Sequence, residues 1–205
     1  MATLPNYNAF AGRHYETGTI ANALAWQGVR APHTHQPPSE ALLLGISGGI
    51  AVGYFTFAYE GYPPHVALLT RNTFGPFETI LDRLAIPRDV RQTADAAKAE
   101  RTLIAAIEEG AAPIVWPDSM SLPYTNTPWD DRNWSPTPLI VFGVEEEYAL
   151  LAAGSSQPLH VERTTLSAAR GRIKADRYRL MELDAPNFDL LPKAVYKGIA
   201  QCIAL

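Results

Sequence analysis

Apolar positions recur with helical spacing from Glu16 to Gln27, where Ile20, Ala23, Leu24 and Val29 mark one buried face and Gly28 a stop. Residues 31–38 read as a proline-rich loop, after which Ser39 is an N-cap for a short helix through Leu44. The β-branched and aromatic run Ile50 to Tyr59 predicts a strand, and His65 to Arg71 a second one beyond the Gly61/Pro63/Pro64 turn. Pro76–Leu84 and Ala94–Glu109 have helical periodicity, the latter with a Leu103, Ile104 and Ile107 stripe and Gly110 as its stop. Ala112–Trp116 is a buried-type strand. Leu139–Phe142 and Tyr148–Ala152 flank Gly143-Val-Glu-Glu-Glu as a hairpin that Leu159–Val161 extends. A short helix over Thr164–Arg170, a strand over Tyr178–Leu183 and an amphipathic helix over Leu190–Ile203 complete the reading. Helices come early and strands cluster late in antiparallel hairpins. That order predicts an α+β fold rather than a doubly wound parallel sheet.

Composition narrows the classes. The 205 residues are 47% hydrophobic and 19% charged, enough for a full core. Seventeen basic against twenty-one acidic residues leave a net charge of -4, which lacks the basic footprint of a nucleic-acid or polybasic membrane-surface binder. No apolar run approaches the ~20 residues of a membrane span, and the first residues show no signal-peptide pattern. The single cysteine, Cys202, excludes internal disulfides and Cys-cluster zinc sites, and it is expected to be a buried, inert thiol on the last helix. A cytoplasmic location follows as the expectation.

Chemistry concentrates in a few places. Gly12-Arg-His-Tyr-Glu-Thr17 enters the first helix, where unsatisfied N–H groups and the dipole favour negative charge. A cysteine at such a start is activated as a thiolate, but the position carries Tyr15, whose phenol is a poor nucleophile without a strong activator. Gly45-Ile-Ser-Gly-Gly49 satisfies the G-x-S-x-G pattern around Ser47, with His65 or His160 as bases and Asp118 as acid. The predicted order there is helix then strand, the reverse of a nucleophile elbow. His33-x-His35 lies near Glu40 in sequence, yet spacing specifies no further ligand, so no metal is expected; nor is any cofactor, since phosphate-cradling glycine motifs do not occur. Glu145–Glu147 reads as a solvated hairpin tip. The long loop from Asp118 to Pro136 interleaves Tyr124, Trp129 and Trp134 with Asp118, Asp130, Asp131 and Arg132, a mixture suited to lining a cleft for a cationic or sugar-like ligand.

Several segments together resemble the family named after the N-terminal domain of the butirosin-biosynthesis H protein. These are His14-Tyr-Glu-Thr17, Ser39-Glu-Ala-Leu-Leu-Leu-Gly45, Gly48-Gly49 leading to Tyr54-Phe55, Asp118 with Leu122-Pro-Tyr124, Leu139–Gly143 and Leu166-Ser-Ala-Ala-Arg170. The resemblance implies a papain-like α+β fold, an N-terminal helix packed on an antiparallel sheet. It also implies a Cys–His(–Asp) relay that carries an acyl group from a carrier-protein thioester to an amine. This chain departs from that relay at three positions. Tyr15 stands at the nucleophile, Thr137-Pro138 where the histidine is expected, and Ala152-Ala153-Gly154 where the acid is expected.

The expectations are therefore a papain-fold domain over 1–185 and a C-terminal helix over 186–205, the start of a longer helical region. The protein is expected to be a non-catalytic family member with a cleft formed by His14, Tyr15, Glu16, Asp118, Tyr124, Trp129 and Trp134. Its expected partners are a small-molecule or peptide ligand, with an acyl carrier protein and a second copy of the chain as further candidates. The alternatives are an acyltransferase, or a hydrolase using Ser47.

Overall fold

A computed structural model describes residues 1–10, 12–49, 53–69, 75–125 and 134–204. The chain divides into two compact units, Met1–Pro38 with Pro87–Ala185, and Ser39–Ile86 with Pro186–Leu205. The division expected from sequence fell at residue 185 alone; here Ser39–Ile86 groups with the C-terminal helix.

The first unit is an α+β assembly around one antiparallel sheet. Its strands are β1 (Ala2–Thr3), β4 (Arg88–Arg91), β5 (Ile114–Val115), β6 (Leu139–Val144), β7 (Tyr148–Ala152), β8 (Leu159–Glu162) and β9 (Leu180–Leu183). They lie in the order β4-β9-β5-β6-β7-β8, with β1 also paired to β6. Every residue of β6 is buried, as the uniform apolarity of Leu139–Phe142 requires of a strand covered on both faces. A bulge between Val141 and Gly143 shifts the β6–β7 register. There Gly143 leaves room that Leu150 and Thr3 fill, and the Phe142 ring stacks on Tyr7 at 4.7 Å. Helix α1 (Tyr15–Trp26) packs on β6, while α4 (Ala96–Glu108) contacts β1 and β6 and α5 (Arg163–Arg172) contacts β7 and β8.

Two strands were not expected from sequence. β1 is only two residues long, and β4, Arg-Asp-Val-Arg, carries charges because it is an edge strand with three exposed residues. Charge on an edge erases the alternation by which a strand is recognised. Conversely, Tyr178 is not in the last strand. It sits in a left-handed turn at φ 52°, and its hydroxyl covers Gly171 of α5.

The second unit holds α2 (Glu40–Ser47), a β2–β3 hairpin (Gly53–Phe57, His65–Leu69), α3 (Pro76–Arg83) and α6 (Leu191–Ile203). The Ser39 hydroxyl accepts from Leu42 N at 3.2 Å, the expected cap, and Gly48 ends α2 at φ 76°. α6 crosses α2 at contact distance because Gly198 has no side chain; a Cβ there would stand 2.1 Å from the Gly45 carbonyl oxygen. Arg83 then ties the three helices, donating to the Ile46 carbonyl and to the Gln201 side chain. Cys202 is half-buried in the α2–α6 groove rather than fully enclosed.

Candidate functional site

Helix α1 begins at Tyr15, one residue before the start expected from sequence. His14 is the N-cap, in extended conformation, and its Nδ1 accepts from Thr17 N at 3.4 Å and stands 3.0 Å from Thr17 Oγ1. An acceptor at Nδ1 puts the ring proton on Nε2, which lies 3.8 Å from the Glu16 carboxylate. Glu16 also occupies the first turn, where the positive helix end favours an anion. The imidazole is thereby used locally, holding the helix start in shape.

Tyr15 is the first helical residue and remains half-exposed. Its ring lies against Gly154, in the turn after β7; a Cβ at that glycine would meet Tyr15 Cε1 at 3.2 Å. The loop before the helix also closes tightly, since a Cβ at Gly12 would stand 2.6 Å from the Gly18 Cα. Behind Tyr15 the helix is buried from Thr17 to Leu24, and Thr19 donates to the Pro138 carbonyl at 3.0 Å. Thus the first turn of α1 meets the turn after β7, and its second turn meets the residue before β6.

Tyr124 belongs to the same neighbourhood. Burial, and then the nearby Tyr15 phenol, push its hydroxyl well above the usual tyrosine range. Two phenols with no imidazole bonded to either, among the described residues, offer stacking and hydrogen bonding to a ligand but no ready proton relay.

Asp118 serves differently. It is fully buried, and its Oδ1 accepts from Met120 N at 3.2 Å and Ser135 N at 2.8 Å. Its Oδ2 accepts from Arg172 Nη1 at 2.8 Å and from the Ser121 hydroxyl. Four donors fill the four acceptor positions of a carboxylate. With the Asp118–Pro136 bridge and the Ser119 N to Ser135 O bond at 2.9 Å, this carboxylate closes the base of the long loop. The described ends of that segment are therefore pinned together. Trp134 stands exposed beside that base, while Trp129, Asp130, Asp131 and Arg132 lie outside the described residues.

Ser47 is the last residue of α2. It is buried, and its hydroxyl donates to the Leu44 carbonyl at 2.7 Å, so helix rather than strand precedes it. The strand–serine–helix order of an elbow is not met. His33 and His35 are exposed, and among the described residues no group of three His, Cys, Asp or Glu is placed to hold a metal ion. Glu145–Glu147 is an exposed hairpin tip, as expected; Arg163 donates to the Glu145 and Glu146 carbonyls at 3.1 and 2.9 Å. A depression of about 860 Å³ beside that tip is lined by Glu100, Glu146, Glu147, Tyr148, Glu162 and Arg163 among others, away from Tyr15. No helix among the described residues is long and apolar enough to cross a membrane.

Arg172 and Ser121 are contributors that sequence reasoning missed. Gly154 was named with Ala152-Ala153 as the position where the resemblance expects an acid, but nothing in that string says that its backbone would carry the Tyr15 ring.

No curated protein matches the chain. The family described as butirosin biosynthesis protein H, N-terminal, matches residues 14–153. That stretch opens at the N-cap of α1 and closes one residue before the glycine on which Tyr15 rests. With two thirds of its length so matched, the chain belongs to the butirosin biosynthesis protein H N-terminal family.

Proposed function

We propose that this protein is a non-catalytic member of an acyltransferase- and cysteine-peptidase-like family, which binds a small molecule, a peptide or an acyl carrier protein in natural-product or peptide metabolism. One observation carries the reading. The resemblance expects a thiol, an imidazole and an acid at Tyr15, Thr137-Pro138 and Ala152-Ala153-Gly154; supporting the reading, the Tyr15 ring packs on Gly154 and the Pro138 carbonyl accepts from Thr19 one turn along the same helix. The scaffold is kept and the reactive atoms are exchanged. Asp118 supplies no replacement acid, because its acceptor sites are taken up by Arg172, Ser121 and two backbone amides. Tyr15 and Tyr124 offer aromatic surface at the same place, suited to binding without bond making.

Family membership favours a second reading, an acyltransferase that works by positioning alone. Orientation by itself supplies roughly 7–11 kcal/mol in favourable intramolecular models. The two readings part in one experiment: the protein is mixed with an acyl-N-acetylcysteamine thioester and a diamine, then followed by intact mass and by thiol release. The non-catalytic reading expects saturation-transfer NMR contacts to the thioester with no adduct and no release above background. A stoichiometric adduct lost in Tyr15→Phe overturns it. Turnover that survives Tyr15→Phe and Ser47→Ala establishes positioning catalysis instead.

A further inference from the structure

Arg163, Ser167 and Arg170 follow one another at four- and three-residue spacing, so they share one face of α5, a helix that packs against α4. The outer arginine is neutralised: Arg163 donates Nε and Nη2 to Glu100 Oε1 at 3.0 and 2.7 Å. The inner one is not. Arg170 is only 3% exposed; its Nη2 donates to the Tyr178 carbonyl at 2.9 Å, and its guanidinium carbon stands 5.7 Å from the centre of the Tyr178 ring. Its Nε is buried with no hydrogen-bond partner, and no carboxylate pairs with it among the described residues. Burial lowers its pKa to about 10, and Tyr178 and Glu100 oppose that shift, so the group stays charged at neutral pH. A carbonyl dipole and a ring face offset part of the cost of a buried cation, but neither is a counter-charge.

The chamber that Arg170 borders measures about 20 Å³, room for one small guest where a water needs roughly 10–15 Å³. Ala96, Leu103, Val144, Ala149 and Leu166 form its apolar wall, and Ser167 adds a hydroxyl. Its charged groups are two cations, Arg163 and Arg170, and one anion, Glu100, which leaves one positive charge. Glu100, Arg163 and Ser167 also line the depression beside the hairpin tip, which gives the chamber a route to solvent.

We propose that this chamber binds one small monovalent anion of the halide class, chloride in ordinary solution, held by Arg170 Nε and the Ser167 hydroxyl. Charge decides between an ion and a neutral guest. A water would accept from Nε and leave the buried cation uncompensated, whereas an anion accepts the same bond and cancels the charge. Between apolar walls that attraction is screened far less than at the surface. The other carboxylates of the depression, Glu146, Glu147 and Glu162, are exposed, where water and salt weaken their repulsion. Size decides among anions, because sulfate and phosphate exceed a space fitted to one water-sized guest.

The test is thermal unfolding of the full chain at about pH 7, with sodium chloride titrated against sodium gluconate at constant ionic strength. A saturable rise of about 3 °C is expected, the size for a ligand at roughly five times its dissociation constant in a chain of this length. Bromide should reproduce the rise and sulfate should not. Arg170→Met, which keeps the bulk and removes charge and donor, is expected to melt at the same temperature in both salts. Equal melting of the parent in chloride and gluconate overturns the proposal and leaves the chamber to water. A chloride response that survives Arg170→Met overturns it as well, since the ion then sits elsewhere. If that variant fails to fold, parent crystals grown in sodium bromide decide. An anomalous peak within hydrogen-bond distance of Arg170 Nε is expected, and its absence there overturns the site.

Discussion

The ring of Tyr15 rests on Gly154, a glycine held at φ 60° after β7, close enough that a Cβ there would reach Tyr15 Cε1 at 3.2 Å. The helix start and the strand end are thus fitted to each other through an aromatic ring and a missing side chain. The sheet supplies the reason: β6 lies between β5 and β7, and α1 packs directly on β6. The turn leaving β7 then runs past the first turn of the helix.

Gly154→Val tests this fit. The left-handed backbone and the close ring both resist a branched side chain, and a loss of about 1–2 kcal/mol is expected from the backbone alone. The same substitution in a Tyr15→Ala background should cost less, since the ring is gone. Urea denaturation of the four proteins in a double-mutant cycle reads the coupling.

Asp118→Ala leaves the Arg172 guanidinium beside an empty acceptor site and removes the carboxylate that holds Met120 N and Ser135 N. Breaking a buried pair from one side costs about 3–5 kcal/mol. Asp118→Asn should cost less, because its amide oxygen still accepts. Amide hydrogen exchange should show faster exchange at Ser135 and Thr137 than in α4, because the loop base opens before the sheet does.

Glu182 gives a pH signature. Burial pushes its carboxyl above the usual range; Arg91, 3.0 Å away but not aligned for a hydrogen bond to the same oxygen, opposes the shift without cancelling it. The folded state therefore holds this proton more tightly than the unfolded chain, and ionisation costs stability as pH rises from the unfolded value of about 4.3 through the raised folded one. Glu182→Gln is expected to be more stable than the parent at pH 7. That advantage should vanish as the pH falls below about 4, where the parent is protonated in both states. Thermal melts across pH 3.5 to 8 decide it.

Tyr15→Cys should gain a reactive thiol without gaining turnover. A helix N-terminus favours the thiolate, so the new cysteine should be alkylated by iodoacetamide faster than the half-buried Cys202. A single acylation by a thioester is expected, followed by no release. The Asp118 carboxylate is saturated and the His14 Nδ1 lone pair is engaged by Thr17 N, so neither lone-pair site is open to serve as the base for release. Intact-mass time courses with peptide mapping read both outcomes.

Much of this was legible in the residue order. The cap at Ser39, the proline start of α3 and the stop at Gly110 follow from which residues can satisfy or terminate a helix end, a local matter. The Leu139–Phe142 and Tyr148–Ala152 hairpin follows likewise, because its apolar runs and its acidic tip differ so sharply. β4 stayed hidden because an edge strand needs only one neighbour and keeps its charges.

The residue order by itself determined the α+β class and most helix ends. Those depend on side-chain chemistry within a few positions. Tertiary structure alone decided that Asp118 closes a loop through Arg172, that Tyr15 meets Gly154, and that Ser39–Ile86 joins the C-terminal helix. Each of these depends on residues fifty or more positions apart, brought together by the register of a sheet and the crossing of α2 and α6. Local preference carries no record of such pairings, because they arise only when whole faces pack.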